Sequence, residues 1–175
     1  MAAVLDALIT DLVAAGREGT PQLAVRDVLE RHLRAPQALA DALPGRRAEL
    51  VALHVSEEIS VFKAVWAEGM HVPPHDHRMW GAIGVYGGRE DNEFFRRAGG
   101  RIEASGGRAL TAGDVALMGA ETIHAVTAPV WTGAIHVYGG DFVRQPRSIW
   151  IDGVEEPNDG ARTAAIFEAA NAPSR

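Results

Sequence analysis

The chain has 175 residues, 47% of them hydrophobic and 23% charged, with 19 glycines, 9 prolines and a formal net charge of −6. This length suits one domain with a sizeable core, and the acidic balance opposes non-specific binding to nucleic acid or an anionic membrane surface. Cysteine is absent, which excludes disulfides, thiolate metal sites and a cysteine nucleophile and suits a reducing, cytoplasmic setting.

The first segment, Met1–Gly16, lacks a basic leader and is interrupted by Asp6 and Asp11, so it reads as a poor signal peptide. No apolar run reaches the roughly 18 residues that a membrane span needs. Val4, Leu5, Leu8, Ile9, Leu12 and Val13 instead form one helical stripe that stops at Gly16. A second helix is expected after Thr20-Pro21, with Thr20 as cap and Leu23, Val25, Val28, Leu29 and Leu33 as its apolar face. A third, short helix starts at Pro36 and ends by Pro44-Gly45.

From about residue 49 the period turns strand-like. Strands are expected at Glu49–Val55 and Ile59–Ala67 around the polar turn Ser56-Glu57-Glu58. Further strands follow at Met79–Tyr86, Asn92–Arg97, Val115–Met118, Thr122–Thr127, Gly133–Tyr138 and Ser148–Ile151. Gly87-Gly88, Gly99-Gly100, Gly106-Gly107, Gly113 and Gly139-Gly140 punctuate them as turns. Many short strands with glycine turns point to a mainly β jelly-roll barrel. The expected organisation is one domain over 1–175: helices over 1–45, a barrel over 46–152, and a tail over 153–175 with a closing helix at Ala161–Ala170 and frayed last residues.

His75-Asp76-His77 places two imidazoles two residues apart, on one face of a strand, after the stiff approach Pro73-Pro74. The surrounding spacing resembles the cupin superfamily. Gly69, His75, His77 and Gly88 fall on its first motif, with Gly81 where that motif has glutamate. Gly113 and His124 fall on the second, where Gly119, Glu121 and Ala128 replace its proline, glycine and asparagine. The resemblance implies a double-stranded β-helix with a metal on His75, His77 and His124 and no carboxylate ligand. Three neutral imidazoles leave a divalent ion most of its charge, which favours anionic ligands; iron, copper, nickel and zinc all suit such ligands.

Within cupins, Pro73-Pro74-His75-Asp76-His77-Arg78-Met79-Trp80-Gly81 resembles the bacterial thiol dioxygenases, which include the cysteine and 3-mercaptopropionate dioxygenases. Val65-Trp66, Ile135-His136-Val137-Tyr138-Gly139-Gly140 and Pro146-Arg147-Ser148-Ile149-Trp150 are similar too, so the resemblance spans roughly residues 50–152. It implies an Fe(II) enzyme that takes a small carboxylated thiol and O2 to a sulfinic acid. By the same resemblance Tyr138 and His136 serve catalysis and Arg147 binds the substrate carboxylate. The family's serine before this histidine is Ala134 here, which breaks its relay to His136 or leaves it to water, and the arginine of the cysteine-specific branch is not evident around residues 48–55. The alternative is a metal cupin that binds a small anion without turnover. Trp80 and Trp150 read as core or pocket-wall aromatics, and His32, His54 and His71 as solvent-facing or structural.

Overall fold

The computed structural model describes residues 2–172. Three helices come first: α1 (Ala2–Ala15), α2 (Pro21–His32) and α3 (Pro36–Ala42). Eleven strands follow: β1 (Glu49–Val55), β2 (Ser60–Trp66), β3 (Met70–Asp76), β4 (Gly81–Gly87), β5 (Arg89–Ala98), β6 (Arg101–Thr111), β7 (Val115–Met118), β8 (Ile123–Ala128), β9 (Thr132–Tyr138), β10 (Ser148–Ile151) and β11 (Val154–Pro157). Helix α4 (Gly160–Ala170) closes the order.

The strands form two antiparallel sheets, β1-β2-β9-β4-β7 and β11-β10-β3-β8-β5-β6, which enclose the core as a double-stranded β-helix. The mainly β barrel with N-terminal helices expected from the sequence is therefore the fold observed. Those helices brace the outside of the five-stranded sheet. Leu8, Leu12, Val25 and Leu29 pack there against Val61, Ala82, Ile135 and Val137, the outward residues of their strands. Each such buried aliphatic contributes about 1.5–3 kcal/mol relative to exposure. Gly84 permits the close approach, since a Cβ there would lie 2.7 Å from Leu33 Cδ1. Gln22 Nε2 adds hydrogen bonds to the carbonyls of Gly81 and Met118.

Several expectations need correction. Leu23 is 44% exposed and lies off the buried face of α2, because that face turns through Val25, Val28 and Leu29. Thr20 stands at the N-cap but its side chain makes no capping bond. Gly106-Gly107 is not a turn. It lies inside β6, where Gly106 takes a positive φ beside a register shift opposite Phe94 and Phe95, the mark of a bulge. Strand β11, in what reads as a tail, pairs with β10. The frayed end expected for the last residues lies outside the described residues from 173 on.

Candidate metal centre

His75 and His124 are Cα partners on the adjacent strands β3 and β8. The register of this pair shifts between Val72 and His75, across Pro73-Pro74, which cannot donate to a ladder. His77 lies one residue beyond β3 rather than on it. The chain bends there through Arg78, whose φ of 52° is left-handed, at a cost of about 1–2 kcal/mol. Arg78 is held by Asp76, Ser148 and Glu155. The bend thus does for His77 what strand alternation was expected to do.

All three imidazoles are buried, and one ring nitrogen from each lies within 4.8 Å of the others. Ring centroids are 4.9 Å apart for His75 and His77, 4.5 Å for His75 and His124, and 5.2 Å for His77 and His124. Two outer partners fix the protons. The Pro73 carbonyl can only accept, so His75 donates to it from Nδ1 at 2.9 Å and keeps a lone pair on Nε2. Asn92 Oδ1 does the same for Nδ1 of His124 at 2.7 Å. Nε2 of His77 stands 3.0 Å from Nε2 of His124, while its Nδ1 is buried without a hydrogen-bond partner among the described residues. Two inward lone pairs with at most one donor among three rings make a poor hydrogen-bond network. They fit a divalent cation well, with partners behind the rings that are usual for ligating histidine. Burial pushes the His75 imidazole down to about 4 and those of His77 and His124 well below their ordinary value, so all three are neutral and competent to ligate.

The facing sheet supplies β9, which directs His136 and Tyr138 inward. Tyr138 packs on the His77 ring at 4.6 Å and on Phe142 at 4.4 Å. Burial, and then the nearby Glu90 carboxylate, push its hydroxyl up, so it keeps its proton. His136 Nδ1 lies 3.0 Å from the Tyr138 hydroxyl. Arg147 enters from the segment before β10. It is 8% exposed, lies 3.9 Å over the Phe142 ring, and its Nε has no hydrogen-bond partner among the described residues. The structure therefore brings His75, His77, His124, His136, Tyr138 and Arg147 to one inner chamber of ≈ 40 Å³, walled also by Trp66, Phe142 and Phe167. An outer recess of ≈ 380 Å³ shares Leu50, Phe142, Arg147, Thr163 and Phe167 with it and runs along α4. Among the described residues, no carboxylate lines the inner chamber.

The residues set aside in the sequence lie elsewhere. His32 hydrogen-bonds Asp11 and ties α2 to α1, and exposed His71 bonds Thr127. His54 Nε2 is buried without a hydrogen-bond partner among the described residues. Trp80 packs with the helices, and Trp150 is buried under Arg97. Two residues escaped sequence reasoning, Glu90 and Asn92, while Trp66 belongs to the resemblance but was given no role. Glu90 takes hydrogen bonds from Trp66, Asn92 and His136, so His136 is backed by a carboxylate from β5, whereas Ala134 offers it no hydroxyl. The only sequence signal for Glu90 and Asn92 was their shared parity on one strand, within a run, Glu90-Asp91-Asn92-Glu93, that otherwise reads as polar surface.

No family model matches the chain. Among solved structures it is similar to BH2720 of Bacillus halodurans at 16% identity, over 73% of this chain and 90% of that one, with a TM-score of 0.54. It is also similar to a cupin superfamily protein of Desulfitobacterium hafniense, at 15% identity over 59% and 88% of the two chains, TM-score 0.46. A third likeness is to the DMSP lyase DddQ of Ruegeria pomeroyi, at 17% identity over 59% and 51%, TM-score 0.47. At such identities likeness speaks to fold alone. The two-sheet topology and the likeness to BH2720 give the chain a double-stranded β-helix fold, with three buried histidines that could hold a metal ion.

Proposed function

We propose that the chain is an Fe(II)-dependent dioxygenase of small thiol carboxylates, adding both atoms of O2 to the sulfur (RSH + O2 → RSO2H). The observation that carries this reading is the pairing of a three-histidine, carboxylate-free metal site with a buried arginine whose Nε is unsatisfied. His75, His77 and His124 would hold the iron, which when bound supplies a Lewis-acidic centre where thiolate and O2 meet. Arg147 pairs with the substrate carboxylate through its planar fork, a match that lysine would make less well. Tyr138, with its hydroxyl hydrogen-bonded to His136 and its ring against His77, would orient the bound groups. Trp66, Phe142 and Phe167 keep the chamber apolar and exclude water.

The wall also discriminates. An α-ammonium group would find no carboxylate among the described residues that line the chamber, and burying an unpaired charge costs several kcal/mol. The site thus favours 3-mercaptopropionate over cysteine. The test is O2 uptake and product mass with iron-loaded protein given 3-mercaptopropionate, cysteine, cysteamine and 2-mercaptoethanol. The expected result is sulfinate from 3-mercaptopropionate, with kcat/KM at least ~10-fold above cysteine. Uptake fastest with cysteamine would remove Arg147 from its role. Tight anion binding without uptake from any thiol would sink the oxygenase reading and leave a metal-dependent anion binder.

A further inference from the structure

Glu90 is fully buried, yet it does not line the chamber; it sits behind it. Three N–H donors converge on it. Trp66 Nε1 and His136 Nε2 reach Oε2 at 2.8 and 3.2 Å, and Asn92 Nδ2 reaches Oε1 at 3.1 Å. Burial alone would push this carboxyl up, but the hydrogen bonds from His136, Asn92 and Trp66 favour the ionised form, and the group is held below its ordinary value.

An ionised carboxylate can only accept, and that fixes protons outward along two branches. On one, His136 carries its proton on Nε2, facing Glu90, and its Nδ1 accepts from the Tyr138 hydroxyl at 3.0 Å. On the other, Asn92 turns its NH2 to Glu90, so its Oδ1 faces His124. That oxygen accepts from Nδ1 of His124 at 2.7 Å and leaves the Nε2 lone pair for the metal. We propose that Glu90 is a positioning residue that sets two tautomers of opposite sense, Nδ1–H on the ligand His124 and Nε2–H on His136, readying the metal site and Tyr138 together. A serine hydroxyl behind His136 could donate or accept and would leave its tautomer free; a carboxylate does not.

The second branch rests on the metal reading of the centre, whereas the tautomers can be read without metal. Long-range 1H–15N spectra of the metal-free protein should show His124 as Nδ1–H and His136 as Nε2–H. His124 as Nε2–H, or His136 as Nδ1–H or as imidazolium, would overturn the proposal. In Glu90→Gln the new NH2 meets the NH2 of Asn92, which turns over and forces Nε2–H on His124. Affinity for Co(II), measured by chelator competition, should then fall ~10–100-fold. The swap Glu90→Gln with Asn92→Asp restores every donor–acceptor pairing and keeps the charge, so affinity should return to within ~3-fold of wild type. Wild-type affinity in Glu90→Gln, or no recovery in the swap, would sink the idea. Should the single variant not fold, the wild-type tautomers and the swap still decide. Wild-type protein that binds no Co(II) would instead sink the metal reading, with the tautomers still standing.

Discussion

Gly81 pairs with Tyr138 across β4 and β9 and with Met118 across β4 and β7. A Cβ at this position would lie 3.2 Å from Met118 Cε and 3.4 Å from the Tyr138 ring. A side chain at this position would therefore meet the tyrosine at once, and the glycine and the tyrosine form one arrangement. Gly81→Glu should not restore a carboxylate ligand. It should destabilise the fold by about 1–3 kcal/mol through overpacking, read from urea denaturation, with Co(II) affinity no higher than wild type. A clear gain in affinity would show that Tyr138 yields. His75 and His77 were legible in the sequence from their spacing, and His124, His136, Tyr138 and Arg147 only through the resemblance of their segments to known motifs. Glu90 and Asn92 were not, because their meaning comes from which strand faces which: β5 reaches His124 only by pairing with β8, and His136 only across the barrel.

At the scale of elements, the N-terminal helices leave the barrel mouth free, and α4 occupies it. Asp159 caps this helix by accepting from the Arg162 amide, and Asn171 clamps its end to the backbone N–H and C=O of Ala48 on the approach to β1. Its Phe167 stacks on Trp66 at 5.3 Å and walls both the inner chamber and the outer recess. Phe167→Ala should lower stability by about 3 kcal/mol or more, read by urea denaturation. Because Trp66 then loses its stacking partner and the wall opens, bulkier thiol carboxylates should gain relative to small ones in KM. An unchanged preference would place α4 outside substrate selection. Sequence period gave the existence of α4 and of most strands to within a few residues. It failed at β6, because a glycine pair inside a bulged edge strand has the same composition as a turn, and at β11, whose four residues carry no alternation and depend on β10 for pairing.

Across the whole molecule, β3, β5, β10 and β11 are tied at one side of the six-stranded sheet by a charged cluster. Glu155 of β11 meets Arg97 at 2.8 Å, Arg78 at 3.3 Å and the Ser148 hydroxyl at 2.7 Å, and Asp76 shares both arginines. The hydrogen bond from Arg97, then that from Ser148, holds the Glu155 carboxyl down from 4.5 to about 2. A carboxylate depressed in the folded state stabilises fully above its unfolded pKa and loses that contribution as pH falls through the folded one. Glu155→Gln should therefore be less stable than wild type near neutral pH, and the gap should narrow between 4.5 and about 2. Half-exposed pairs of this kind are worth about 1 kcal/mol or less, since solvent screens them, so a small gap is expected. Urea denaturation of both proteins at about pH 7, 4 and 3 reads it. The gap should also shrink in strong salt, as the cluster lies at the surface, whereas the Glu90 bonds are shielded from salt by burial. A gap that persisted unchanged at the lowest pH would mean that Glu155 stabilises the sheet by packing and neutral hydrogen bonds rather than by charge.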